Sequence, residues 1–127
     1  MKPTLKKILY VEDEPDIQVI ASMALQAGGF EVQCSSSGQE ALNVIPKYKP
    51  DLILLDVMMP GMDGPTTLKK IRENPDTKNI PVIFMTAKVQ AKEVEQYKSM
   101  GGMDVIPKPF DPMLLSKTIQ EIWNRNG

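Results

Sequence analysis

Four segments with the character of β-strands end in residues whose side chains can do chemistry. Three ends supply carboxylates or a hydroxyl, and the fourth leads into a lysine. In chain order they are Ile8-Leu9-Tyr10-Val11 before Glu12-Asp13-Glu14, Leu52-Ile53-Leu54-Leu55 before Asp56, Val82-Ile83-Phe84-Met85 before Thr86, and Asp104-Val105-Ile106 leading to Lys108. Because the carboxyl ends of parallel strands open on one edge of a sheet, we expect these side chains to gather there.

Asp56 most needs an explanation, since it ends an apolar segment typical of a strand that is buried on both faces. Burying an ion is costly unless it is paired or bound to metal. In one interpretation Asp56 only accepts amide hydrogen bonds from its loop, while Glu12, Asp13 and Glu14 favour the start of the next helix. Two carboxylates about 4 Å apart, however, repel by about 4 kcal/mol at an effective dielectric constant of about 20. A raised pKa of one carboxyl group or a bound cation would relieve that repulsion.

A hard divalent cation suits such a cluster, and Mg²⁺ suits it best because it takes one or two carboxylates together with waters and a phosphate. Calcium is disfavoured, since the segment from Asp56 to Gly61 lacks the alternating oxygen ligands of an EF-hand loop. Thr86 and Lys108 each have a plain interpretation, as a hydroxyl bonded to the main chain and as a counter-ion. Together with the acids they supply what phosphoryl transfer needs, a carboxylate nucleophile and groups that neutralise phosphoryl oxygens.

The composition restricts the class of protein. A chain of 127 residues suffices for one domain with a substantial core. Its 15 basic and 16 acidic side chains give a net charge of −1, which disfavours direct binding to nucleic acid. Histidine is absent, so phosphohistidine chemistry would need a partner. Cys34 is the single cysteine, the N-terminal segment is unlike a signal peptide, and no apolar run approaches roughly 20 residues. We expect a cytoplasmic domain outside the membrane.

Helical patterns alternate with the strands, which predicts an α/β fold with helices on both faces of the sheet. The predicted helices begin near Pro15, Ser37-Gly38, Pro65 and Val89, and the last opens with Asp111 as N-cap and Pro112 at the first position. The fourth helix has a thin apolar stripe of Val94 and Tyr97. Pro46 is expected to end or kink the second helix, because proline lacks an N–H group and clashes with the preceding turn.

The order of the strands follows from their apolar patterns. Strands one, three and four are continuous apolar runs, which favours the centre of a parallel sheet. Strand two, Glu31–Ser35, alternates polar and apolar residues, and strand five is short, so both are predicted at the edges. Right-handed crossovers then predict the order 2-1-3-4-5. Ligands bind such sheets where the winding reverses, between strands one and three, which end in Asp13 and Asp56.

Four separate motifs in this chain resemble those of the receiver domains of two-component response regulators. They are Ile8-Leu9-Tyr10-Val11-Glu12-Asp13-Glu14-Pro15, Leu54-Leu55-Asp56-Val57-Met58-Met59-Pro60-Gly61-Met62-Asp63-Gly64, Met85-Thr86-Ala87 and Lys108-Pro109-Phe110. The resemblance covers nearly the whole chain. It implies one receiver domain over residues 1–127, with a flavodoxin-like, doubly wound sheet of five parallel strands.

By that resemblance Asp56 is the phosphoacceptor of a phosphorelay. The phosphoryl group would come from a histidine of a sensor histidine kinase or of a histidine phosphotransfer protein. Asp13, Asp56 and the main-chain carbonyl of Met58 would hold Mg²⁺, with Glu12 reaching the ion through water. Phosphorylation would then bias a switch of the surface towards binding a downstream effector. Because its apolar stripe is thin, the fourth helix is predicted to be the moving element.

The resemblance also assigns roles at the ends of strands four and five. Thr86 and Lys108 would bind the phosphoryl oxygens, and the Lys108-Pro109 bond would be cis. One position departs from the family, since Val105 stands where receivers commonly carry Tyr or Phe, three residues before the lysine. Because an aliphatic side chain cannot make the inward swing of a ring, we expect switching through the fourth helix and fifth strand to be weaker or differently built.

Three rival functions remain open at this point. A phosphatase of the haloacid dehalogenase kind also uses a strand-end Asp and Mg²⁺, but its general acid would fall on Met58, which cannot donate a proton. A flavin-binding module is disfavoured because no phosphate-binding loop rich in Ser, Thr and Gly follows strand one. A pseudo-receiver is disfavoured by the intact set of acids, Thr86 and Lys108. We expect a phosphoacceptor signalling domain rather than an enzyme.

No output domain is expected after the fifth helix. The chain could act alone, serve as a relay intermediate or be part of a longer regulator. The cognate kinase, the input signal and the target cannot be named from the residues.

Overall fold

The sheet has five parallel strands in the order β2-β1-β3-β4-β5, as predicted. The computed structural model describes residues 4–126, so residues 1–3 and 127 of the predicted domain lie outside it. The elements are β1 (Lys7–Val11), α1 (Pro15–Ala27), β2 (Glu31–Ser35), α2 (Gly38–Tyr48), β3 (Leu52–Asp56), α3 (Gly64–Glu73), β4 (Val82–Thr86), α4 (Ala91–Ser99), β5 (Asp104–Pro107) and α5 (Leu115–Arg125). The predicted flavodoxin-like, doubly wound architecture is therefore confirmed.

The apolar residues of the central strands bury two separate cores, one on each face of the sheet. Side chains alternate along a strand, so Tyr10 and Leu54 face the core beneath α1 and α5. Leu9 and Leu55 face the core beneath α2, α3 and α4. The strands β3 and β4 are buried along their whole length, whereas β2 exposes alternate residues, as expected of an edge strand.

The strand register aligns the reactive ends at one edge. Val11 pairs with Leu55, and Asp56 pairs with Met85. Thr86 in turn pairs with Pro107. The residues that follow these pairs along each strand therefore emerge side by side, which the parallel arrangement predicted.

The prediction that Pro46 ends α2 is wrong, because the helix continues to Tyr48. Proline at this position removes only one amide donor, in the last turn of the helix, and its side chain is exposed. Lys49 then adopts a left-handed conformation with φ of 54° and donates its amide to the carbonyl of Ile45 at 2.9 Å, which closes the helix.

The predicted start of α5 at Asp111 and Pro112 is also wrong, since the helix begins at Leu115. Asp111 instead organises a separate turn. Its carboxylate accepts a hydrogen bond from the Met113 amide at 2.9 Å, and its carbonyl accepts one from the Leu114 amide at 3.0 Å. An acid before proline has the same sequence signature whether it begins a helix or a turn.

Within residues 4–126, none of the helices combines the length and the apolar content that crossing a bilayer would require.

Candidate functional site

Asp56 is the last residue of β3, and the strand carries it to the carboxyl edge of the sheet in a nearly buried position. Only 3% of the residue is exposed. Its Oδ2 atom lies 3.2 Å from Nζ of Lys108. The amide of Met58 approaches Oδ1 at 3.4 Å, which is a long hydrogen bond. The carboxylate is thus held in place by one ammonium group and its own loop.

Lys108 joins the two acids that end β1 and β3. Its ammonium group lies 2.8 Å from Oε1 of Glu12, closer than its distance to Asp56. Glu12 is fully buried, and its Oε2 accepts a hydrogen bond from the amide of Glu14 at 3.3 Å. The hydroxyl of Tyr10 donates to Oε1 of Glu12 at 3.2 Å. Lys108 is thus a counter-ion, as one interpretation of its position predicted, and it bridges both carboxylates.

Glu12, Asp13 and Asp56 form a cluster that could hold a metal ion. Each residue offers a carboxylate oxygen, and these oxygens lie within 4.8 Å of one another. Asp13 is half-buried, whereas the other two are buried, so the cluster opens towards solvent on the side of Asp13. An all-carboxylate donor set of this size suits a hard divalent cation, and the residues present therefore fit Mg²⁺.

Burial and neighbouring charges shift the pKa values of Asp56, Glu12 and Lys108. Burial, followed by repulsion from Glu12, raises the pKa of Asp56 from 3.8 to about 6. Burial opposes ionisation of Glu12 as well, but its ion pair with Lys108 prevails and holds its pKa below the usual value. Burial also disfavours the charged form of Lys108, yet the two acids keep the pKa of its ammonium group above the usual value. Of the carboxylates of Glu12 and Asp56, that of Asp56 is therefore the less compensated.

Thr86 is the last residue of β4 and is 3% exposed. Its hydroxyl oxygen accepts a hydrogen bond from the Lys88 amide at 3.1 Å, which is the plain structural role that the sequence allowed. Its carbonyl accepts the Lys108 amide at 2.9 Å, so the ends of β4 and β5 are tied together. The Lys108-Pro109 peptide bond is cis, as the resemblance implied.

The structure adds three supporting residues that the sequence did not single out. Tyr10 lies in an apolar strand, and alternation along β1 places its side chain on the same face as Glu12, to which its hydroxyl donates. Gln18, on α1, donates its side-chain amide to the carbonyl of Glu12. Gly64 begins α3 so close to β3 that a Cβ atom there would lie 2.5 Å from the carbonyl oxygen of Asp56. Only the first of these could have been found from strand periodicity.

Comparison with known proteins agrees with this arrangement. A family profile described as the response regulator receiver domain matches residues 8–120. The phosphate regulon transcriptional regulatory protein PhoB of Pseudomonas aeruginosa is 37% identical over 122 residues, which are 96% of this chain and 53% of PhoB. The regulatory protein AtoC of Escherichia coli is 35% identical over 116 residues, which are 91% of this chain and 25% of AtoC. This chain thus spans about half, or less, of the length of these relatives.

Solved structures show the same likeness over nearly the full length. The chemotaxis response regulator CheY4 of Vibrio cholerae is 34% identical, with a TM-score of 0.86, and the match covers 94% of this chain and 99% of that one. The N-terminal domain of a response regulator receiver protein from Methanoculleus marisnigri is 38% identical with a TM-score of 0.77, covering 93% and 96%. The chain therefore belongs to the family of response regulator receiver domains, whose common activity is to accept a phosphoryl group from a histidine kinase.

Proposed function

We propose that Asp56 is the phosphoryl acceptor of this receiver. A carboxylate oxygen of Asp56 attacks the phosphorus, the bond from phosphorus to the donor histidine nitrogen breaks, and an aspartyl phosphate forms. One observation carries the proposal, namely a nearly buried carboxylate 3.2 Å from a lysine ammonium group, at the edge where three acids converge. The attacking group must be ionised, and its pKa of about 6 leaves it mostly ionised near neutral pH.

Lys108 and Thr86 would stabilise the transferred group. Phosphoryl transfer depends on positioning and on neutralising charge at the equatorial oxygens. The ammonium group of Lys108 already lies between the two acids, so it needs little displacement to contact a phosphoryl oxygen on Asp56. Thr86 supplies a hydroxyl donor from the next strand, which is buried and therefore shielded from competing water.

Glu12, Asp13, Asp56 and the main-chain carbonyl of Met58 are the groups that we propose to hold Mg²⁺. Bound there, the ion would neutralise negative charge on the acids and on the incoming phosphoryl group. The raised pKa of Asp56 supports this, because burial and repulsion from Glu12 disfavour its negative charge and a bound cation would offset both. Glu12 is fully buried and paired with Lys108, which fits a contact with the ion through water better than direct coordination.

We further propose that the domain is a signalling module and not a phosphatase that turns over substrate. A phosphatase of the haloacid dehalogenase kind needs a proton donor two residues after its nucleophile. Met58 stands there, 74% exposed, and its thioether carries no acidic proton. The domain would promote only its own phosphorylation and dephosphorylation.

The partners proposed for this single cytoplasmic domain are a histidine kinase or histidine phosphotransfer protein and a downstream effector protein. Receivers as a family interact with such kinases, and the absence of histidine from these 127 residues fits a recipient whose donor histidine lies outside this domain. The near-zero net charge supports a protein effector over direct contact with nucleic acid.

Incubation with Mg²⁺ and acetyl phosphate tests the proposal. We expect one phosphoryl group per chain, detected by intact mass and removed by hydroxylamine, which cleaves acyl phosphates. Asp56→Asn should abolish the mass increase. Asp76→Asn is the matched control, because it changes an exposed carboxylate outside the cluster, and it should leave the reaction unchanged. Rapid phosphate release with no accumulation of the phosphorylated chain would instead favour a phosphatase, and neither modification nor phosphate release would favour a pseudo-receiver.

A further inference from the structure

The helix α4 is fixed to the sheet by very little apolar surface. All nine of its residues are described, and Tyr97 is the one that is buried, with an exposed fraction of 9%. Glu93 and Val94 are half-buried, and the others are exposed. Elements with few buried contacts move at the lowest free-energy cost, and Tyr97 is the main apolar anchor of α4.

That anchor rests on an aromatic ring of the sheet. The rings of Tyr97 and Phe84 lie 5.1 Å apart between centroids, tilted by 46°, and Phe84 is fully buried in β4. Gly102 makes room for the pair, because a Cβ atom there would lie 3.0 Å from both the Phe84 ring and the Tyr97 carbonyl. The amide of Gly102 also donates to that carbonyl at 3.1 Å. The C-terminal end of α4 thus closes directly over Phe84.

Phe84 lies on the path from the reactive edge to α4. Since side chains alternate along a strand, Phe84 and Thr86 project from the same face of β4. The hydroxyl of Thr86 also holds the loop that leads into α4, through its hydrogen bond with the Lys88 amide at 3.1 Å. A displacement of Thr86 towards Asp56 would therefore disturb both the support of Tyr97 and the start of the loop before α4.

The strand β5 carries no aromatic ring that could contact Phe84 as Tyr97 does. Val105 is the register partner of Phe84 in β5 and is half-buried against the same core. Its branched aliphatic side chain has few rotamers and no planar surface to reorient. Among the described residues on the face of the sheet beneath α4, the aromatic pair in contact is Phe84 and Tyr97.

We infer that Tyr97 is a positioning residue that couples phosphorylation of Asp56 to the position of α4. The inference rests on the proposed function, and it assigns to α4 the aromatic role that receivers commonly place at the position of Val105. When Thr86 moves towards the phosphoryl group, the end of β4 and the Phe84 ring shift, and the Tyr97 ring follows and carries α4 with it.

Backbone amide NMR with Mg²⁺ and beryllofluoride, a mimic of the phosphoryl group, tests this inference. In the wild-type chain we expect shifts both at the site, including Ala87, and throughout α4. Tyr97→Leu keeps an apolar anchor but no ring, so the shifts at the site should persist and most of those in α4 should be lost. Tyr97→Phe should restore them. Val105→Ala is the control at the usual aromatic position and should respond like the wild type.

A full response of α4 in Tyr97→Leu, or its loss in Val105→Ala, would overturn the inference. A second measurement avoids any folding defect of that variant, since wild-type protein labelled with fluorotyrosine can be followed by fluorine NMR, with Tyr97→Phe used for assignment. We expect the Tyr97 resonance to move with beryllofluoride while that of Tyr48, below the opposite end of the sheet, stays. An unmoved Tyr97 resonance refutes the coupling. Failure of the wild-type chain to bind beryllofluoride or accept phosphate would count against the proposed function itself.

Discussion

Replacing Asp56 by asparagine should stabilise the metal-free protein, although it removes an ion-pairing group. Folding raises the pKa of Asp56 from 3.8 to about 6, through burial and repulsion by Glu12. At about 1.4 kcal/mol per pH unit, keeping this carboxylate ionised in the folded state costs about 3 kcal/mol. An amide has the same shape without the charge. Because it is a poorer acceptor for Lys108, we expect a net gain of about 1 to 3 kcal/mol, or about 3 to 10 °C in melting temperature for a chain of this size.

The pH dependence of that gain follows from the direction of the pKa shift. Above about pH 6 the folded wild-type chain carries the full cost of the charge, so the advantage of Asp56→Asn is complete. As the pH falls from 6 to 3.8, the folded state takes up its proton first, and the advantage shrinks. Below 3.8 both states are protonated, and the advantage disappears. Because folding lowers the pKa of Glu12, its carboxylate stabilises both proteins at pH values above 4.5, the usual pKa of the group. This stabilisation is lost in both proteins as the pH falls through the lowered pKa.

Urea unfolding in EDTA, followed by the fluorescence of the buried Trp123 and by circular dichroism, measures the effect. Adding Mg²⁺ should stabilise the wild type more than Asp56→Asn and so narrow the difference. Asp76→Asn serves as the matched control and should change stability by less than about 0.5 kcal/mol. A variant less stable than the wild type at pH 7.5, or an advantage that persists unchanged at pH 3.5, would refute this account of the acids.

Three further changes test other parts of the structure. Lys108→Ala should leave Mg²⁺ binding largely intact yet uncouple phosphorylation from the surface change, and an unaltered phosphorylation-dependent NMR response would contradict this. Gly64→Ala places a Cβ atom 2.5 Å from the Asp56 carbonyl, so we expect a loss of about 1 to 3 kcal/mol in urea unfolding and slower labelling by acetyl phosphate. Arg72→Met removes hydrogen bonds of 2.7 and 2.8 Å to two main-chain carbonyls, which should cost about 1 to 3 kcal/mol in unfolding while labelling continues at the wild-type rate.

The pattern of apolar residues alone determined the sheet and its reactive edge. Continuous apolar runs predict that β3 and β4 lie at the centre of the sheet, and the alternation of polar and apolar residues predicts that β2 lies at an edge. Right-handed crossovers then leave one strand order. Since the carboxyl ends of parallel strands meet at one edge of the sheet, the sequence pattern predicts that Asp13, Asp56, Thr86 and Lys108 gather there. Local signals served less well at the bounds of helices, because proline costs little in the last turn of a helix, as at Pro46, and an acid before proline, as at Asp111, can begin either a helix or a turn.

Only the tertiary structure decided which charge neutralises which. Lys108 bridges Glu12 and Asp56 because the fold brings segments far apart in the chain to within a few ångströms. The hydroxyl of Tyr10 donates to the same glutamate. The contact between Phe84 and Tyr97 is of the same kind. Alternation along strands and periodicity along helices predict the face on which a side chain lies. Which side chains of a helix and a strand contact each other depends on how these elements pack, and packing is a property of the whole fold.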